Sequence, residues 1–96
     1  MDNKHDENQD QPIQNYEARV NVTFGGQNAD LPDPVNFNAS DTDIRQWVTE
    51  AVRGGSLPGM RRNVGADLSE YVIDRFNAND QYPYNRIQIR PKTTFG

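Results

Sequence analysis

Asn85-Arg-Ile-Gln-Ile-Arg-Pro-Lys-Thr-Thr-Phe-Gly96 is the stretch that organises the reading of this chain. Ile87 and Ile89 alternate with Arg86, Gln88 and Arg90, the period-two pattern of a strand that buries one face. Pro91 cannot donate to a ladder and ends the strand. A short polar and basic run then leads to Gly96, whose carboxylate is unhindered because glycine has no Cβ.

Working outward, the clearest partner strand is near the other end. Ala18, Val20, Val22 and Phe24 alternate with Arg19, Asn21 and Thr23. Gly25-Gly26 follows and suits a turn that needs positive φ. A hairpin turn outweighs a phosphate loop here, because no helix starts after these glycines. Residues 27–34 read as a loop, with Pro32 and Pro34 preventing continuous pairing. Val35, Phe37 and Ala39 alternate with Asn36 and Asn38 as a second strand. Ser40-Asp-Thr-Asp43 has the spacing of a capping box, and Asp41 and Asp43 favour the positive end of a helix. Ile44, Trp47, Val48, Ala51 and Val52 form one apolar stripe, with Trp47 read as its largest core residue. Arg53 suits the C-terminal dipole, and Gly54-Gly55 stops the helix.

The next segment is less determined. Residues 56–66 read as a loop with one short strand near Met60 to Val64. Leu68, Tyr71, Val72 and Phe76 have helical spacing, yet Tyr71 and Ile73 equally allow an extended stretch. A short helical turn at 68–72 is the preferred expectation, followed by a polar loop over 77–84. The fold class is therefore α+β: a small mixed sheet packed on one main helix. If the last strand lies beside the first, the helix crossing right-handed between strands makes this a β-grasp. The expected core is Val20, Val22, Phe37, Ile44, Trp47, Val48, Val52, Ile87 and Ile89.

Composition limits the function classes. The chain of 96 residues is one domain at most, and its hydrophobic content is only 33%. Residues 1–16 carry Asp2, Asp6, Glu7 and Asp10 against Lys4, with few apolar side chains, and are expected to be a disordered tail. Residues 17–92 form the expected domain, and 93–96 a flexible C-terminal tail. Residues 17–96 hold 10 acids and 9 bases, so most of the net charge of −4 belongs to residues 1–16. A near-neutral domain argues against avid nucleic-acid or anionic-membrane binding. The absence of cysteine excludes disulfides, thiolate metal sites and a thioester-forming nucleophile. His5 is the sole histidine and lies in the tail, and no carboxylate pair suggests shared acid–base work. The expectation is a non-enzyme without metal or cofactor, monomeric and cytoplasmic, with no membrane-spanning segment.

Several short motifs in collinear order resemble the ubiquitin family. Ala39-Ser-Asp-Thr42 enters the helix as Pro-Ser-Asp-Thr does in ubiquitin, and Gly55-Ser-Leu-Pro58 leaves it much like Gly-Ile-Pro-Pro. The interval between them is the same, although the apolar stripe is displaced by one residue. Leu68-Ser-Glu-Tyr-Val-Ile73 is similar to Leu-Ser-Asp-Tyr-Asn-Ile, and Ile87 and Ile89 fall on two buried leucines of the last strand. Lys92 falls on a tail arginine. The likeness spans roughly residues 18–96 and implies a divergent prokaryotic ubiquitin-like protein. It departs from the family in the short segment between Gly55 and Leu68, and in a longer loop before the last strand. Phe95-Gly96 also stands where the family has Gly-Gly, and Arg90 where its recognition surface is apolar.

The resemblance implies a modifier joined through Gly96 and Phe95, with an activating enzyme and target proteins as partners. The alternative is a non-covalent interaction module or a small subunit of a larger complex. Arg86, Gln88, Arg90, Lys92, Arg61 and Arg62 are the candidate partner-binding residues. A weaker third reading sets these basic residues beside Tyr82 and Tyr84 for nucleic-acid stacking.

Overall fold

The structure is a computed structural model and describes residues 13–92. Strand β1 (Glu17–Phe24) buries Ala18, Val20 and Val22 completely and turns Arg19, Asn21 and Thr23 the other way. Gly25 and Gly26 have φ of 59° and 79°, the two positive values that a two-residue hairpin turn demands. They place Gln27 opposite Phe24 and so create β2 (Gln27–Asp30), antiparallel to β1.

Residues 27–34, expected as a loop, thus begin with a strand, and the strand expected over 35–39 is cut short. The turn, and not hydrophobic alternation, dictates where pairing resumes. Only Val35–Asn36 form a strand, β3, opposite Ala18 and Glu17. Strands β2 and β3 thus share one edge of β1, interrupted at Leu31 to Pro34. Between the registered pairs Asn21↔Asp30 and Ala18↔Val35, Arg19 and Val20 face four residues, 31–34. Pro32 and Pro34 supply no N–H there, while Leu31 donates to the Val20 carbonyl and buries its side chain. Phe37, expected in the core, packs against it half-buried.

Helix α1 (Asp41–Gly54) matches its sequence signals closely. Ser40 is extended and its Oγ accepts from the Asp43 amide at 3.0 Å. At the other end Gly55 is left-handed, with φ of 73°, and its N–H reaches the Ala51 and Val52 carbonyls. Ile44, Val48, Ala51 and Val52 are buried, but Trp47 is not: it is 39% exposed. The row Ile44–Val48–Val52, spaced by four, lies against the sheet. Trp47, three residues past Ile44, falls on the rim of that row and does not anchor the core.

The segment after α1 contains no strand at Met60–Val64. It is pinned by its own buried side chains Leu57, Met60, Ala66 and Leu68. It is also held by arginines: Arg45 donates to the Leu68 and Tyr71 carbonyls and Arg53 to that of Ala66. The expected helical turn at 68–72 is instead a tight turn, with the Tyr71 amide on the Leu68 carbonyl. Strand β4 (Val72–Phe76) then begins. The turn is opened by Asp67, whose carboxylate accepts from the Ser69 amide. Bonds from the Ser69 backbone and side chain hold the Asp67 carboxyl below its ordinary pKa. Stability from this carboxylate is complete above the unfolded pKa and is lost as pH falls through the lower folded value.

Strand β5 (Asn85–Arg90) buries Ile87 and Ile89 fully, as the alternation requires. It runs parallel to β1, with Val20 beside Ile87 and Val22 beside Ile89. Strand β4 is antiparallel on its far side. The mixed sheet has the order β2-β1-β5-β4, with β3 extending the β2 edge, and α1 packs on one face.

Among the described residues, Asn85 is the one buried polar residue, at 8% exposure. Its Nδ2 donates to the Asn15 and Glu17 carbonyls at 3.1 and 3.0 Å, and its Oδ1 accepts from the Ala78 amide at 2.9 Å. Of the tail expected over 1–16, residues 1–12 lie outside the described residues. Asn15 and Tyr16 meet the domain through their carbonyls, Tyr16 accepting from the Phe37 amide.

Three outcomes are expected in urea denaturation. Ile87→Ala should cost about 3–4 kcal/mol, and Trp47→Ala only about 1–2, because a rim side chain leaves no closed cavity. Asn85→Ala should cost about 2–3 kcal/mol by stranding three backbone groups at once. A carboxyl-detected pH titration should find Asp67 titrating below an ordinary aspartate.

Candidate binding surface on the open sheet face

The face of the sheet turned away from α1 is built by the polar members of each alternation. From β1 come Arg19, Asn21 and Thr23, from β2 Asn28 and Asp30, and from β5 Arg86, Gln88 and Arg90. Strand β4 adds Asp74 and Phe76, since Asp74 pairs with Gln88 and Phe76 with Arg86. At one side of this face the carboxamides interlock. Asn21 donates to Asn28 and to Asp30 at 2.9 and 2.8 Å, and Asn28 returns bonds to Asn21 and Thr23. This exposed network cross-links the two strands and stiffens the β1–β2 ribbon.

The arginines divide into two groups. Arg45, Arg53 and Arg62 donate to backbone carbonyls, Arg62 to that of Arg53 at 3.0 Å. Arg75 joins the sheet to the helix start, donating to the Phe37 carbonyl at 2.8 Å and pairing with Asp41. Arg90 pairs with Asp74 across β4 and β5 at 2.9 Å. These five hold parts of the fold together. Among the described residues, the guanidinium groups of Arg19, Arg61 and Arg86 meet no protein acceptor.

Arg86 nevertheless has a fixed setting. Its guanidinium carbon lies 3.9 Å from the centroid of the Tyr82 ring and 4.9 Å from that of Phe76. The negative faces of both rings attract the cation and hold its plane. The Nε is buried without a partner. Arg19 is its register neighbour on β1. Together with Asn21, Asp30, Tyr84 and Gln88 they line a cavity of about 190 Å³.

The structure therefore gathers some of the residues singled out by sequence and separates others. Arg86 and Gln88 share the cavity. Arg90 is on the same face but committed to Asp74. Arg61 and Arg62 lie in the loop after α1, where the Arg61 amide donates to Gln27. Lys92 is exposed beyond β5, and Phe95 and Gly96 lie outside the described residues. Arg19, Asn21 and Asp30 were missed by the sequence reading. Their signal was present as the polar half of the β1 alternation, but it became legible only once β1 and β5 were set side by side.

Among the described residues, no group of three or more histidine, aspartate or glutamate side chains is placed to hold a metal ion. No helix there is long and apolar enough to cross a membrane. Comparison with known proteins finds no matching family model, no matching curated protein and no matching solved structure.

If the Tyr82 ring holds the Arg86 guanidinium, Tyr82→Ala should release it. The Arg86 Nε–H resonance should then exchange with water at least about tenfold faster, while global stability changes by about 1 kcal/mol or less.

Proposed function

We propose that this chain is a ubiquitin-like β-grasp protein that functions as a modifier attached through Gly96. The observation that carries the reading is the sheet order β2-β1-β5-β4 with β5 parallel to β1 and one helix crossing between them. That arrangement accords with the collinear motifs at Ala39–Thr42, Gly55–Pro58 and Ile87–Ile89. A central strand that leads straight into exposed Pro91 and Lys92 brings the chain out of the core just before its last residues.

In this reading an activating enzyme adenylates the Gly96 carboxylate, with pyrophosphate leaving from ATP. A target lysine amine then attacks the acyl carbon, forms an amide and expels AMP. The reading requires that Gly96 be the last residue of the mature protein, which intact mass measures directly. Lys4 and Lys92 are the only lysines, so the folded surface offers few points for chain extension.

A second reading is favoured by the built cavity at Arg19 and Arg86: a non-covalent module that meets protein partners through its open sheet face. Both readings place the protein in the cytoplasm, acting as a monomer without catalysis of its own.

Mass spectrometry of digests from the native host discriminates between them. Attachment should leave a remnant ending in Phe95-Gly96 on target lysines, lost on deletion of Gly96. Abundant protein without adducts, and a partner retained by the Gly96 deletion, would favour the module.

A further inference from the structure

We infer that the Arg19–Arg86 cavity is a carboxylate-binding site that takes an aspartate or glutamate side chain from an acidic peptide segment. The inference deepens the contact reading of the open face and rests on it, but is independent of attachment through Gly96. Three observations converge.

The first is unmet donor capacity. Of the six lining residues, five can donate: two guanidinium groups, the carboxamides of Asn21 and Gln88, and the Tyr84 hydroxyl. Asn21 already spends donors on Asn28 and Asp30, but neither arginine has a protein acceptor among the described residues. Both arginines line the same cavity, so an anion held there is attracted by two cations at once.

The second is preorganisation. Tyr82 and Phe76 hold the plane of Arg86, so little rotamer freedom remains to be lost when its planar fork meets a planar oxyanion. Arg90 and Arg62, which serve the fold, have no such unoccupied fork.

The third is charge balance. Asp30 also lines the cavity, bonded to Asn21, so the formal charge of the lining is +1 from two arginines and one aspartate. That matches a monoanionic carboxylate and disfavours a phosphate dianion, which would face Asp30 with excess negative charge. A cavity of about 190 Å³ also accommodates one acidic side chain rather than a nucleotide.

The test is a titration of the full chain followed through arginine Nε–H resonances. The probes are acetyl-Gly-Glu-Gly-amide, its glutamine counterpart, and inorganic phosphate, all at equal ionic strength. The glutamate peptide should shift Arg86 and Arg19 saturably, and the glutamine peptide should not. Arg86→Lys keeps the charge but not the fork, and should weaken binding at least about tenfold while the amide spectrum stays folded. A full-length variant with Asp2, Asp6, Glu7 and Asp10 changed to their amides locates the source of the carboxylate. Movement of the Arg86 signal without peptide, with tighter peptide binding, would support the site and show an acidic group of the same chain already using it. An unmoved signal with unchanged peptide affinity supports a carboxylate supplied by another molecule. Equal shifts with the glutamine peptide, tighter binding of phosphate, or unchanged affinity in Arg86→Lys would each overturn the assignment. Should Arg86→Lys fail to fold, Arg19→Lys with Tyr82→Ala reads the same two features from either side. A protein partner on this face whose affinity ignores Arg86→Lys would sink the carboxylate site and leave the contact surface standing.

Discussion

Everything in this domain hangs on the parallel pairing of β1 with β5. It sets Val20 beside Ile87 and Val22 beside Ile89, and these four side chains, all fully buried, are the floor on which the helix row rests. Parallel neighbours need a crossover, so α1 has to traverse the face that those residues line. Hydrophobic contact is nondirectional and would tolerate a slip, but a one-residue slip would reverse both faces of β5. Asn85 guards against that slip. Its carboxamide ties the start of β5 to the start of β1 on one side and to the Ala78 amide on the other. A buried amide able to meet three partners at once does so in one register only.

The same pairing makes the open face what it is. Because register is fixed through the core, Arg19 and Arg86 are held as neighbours on the open face, and the cavity they line is a consequence of packing on the opposite side. The interruption at Leu31 to Pro34 adds to this. Leu31 turns inward to fill the core, and the edge beside Arg19 is left without a regular neighbour strand.

Legibility followed the range of the forces involved. The helix could be read because its caps are local: Ser40, Asp43 and Gly55 act within a few residues of themselves. The hairpin turn and β5 were legible for the same reason. Trp47 was misplaced because helical periodicity identifies a stripe but not how narrow a row the opposing sheet will cover. The polar strand Gln27–Asp30 was missed because the Gly25–Gly26 turn sets its pairing and side-chain bonds to β1 reinforce it, and hydrophobicity says nothing of either. Residues 68–76 were ambiguous over nine positions, and the competition was resolved by pairing with β5, a partner ten or more residues away. At the candidate site, Arg86 and Gln88 could be read from alternation alone. Arg19 could not, since nothing local says which strand will lie beside β1, and Arg90 could not be discounted before Asp74 was found opposite.

The hairpin and the helix are local structures, yet neither can be stable before the far end of the chain arrives. Ala18 meets Asn85 across almost the whole length of the domain. Closing so large a loop costs entropy that is recovered only when Ile87 and Ile89 dock. During synthesis, the edge of β1 that β5 will cover therefore stays unpaired until the last strand has emerged. Its protection in that interval falls to Arg19, Asn21 and Thr23, whose polar side chains interrupt the apolar run and so discourage association with other nascent chains.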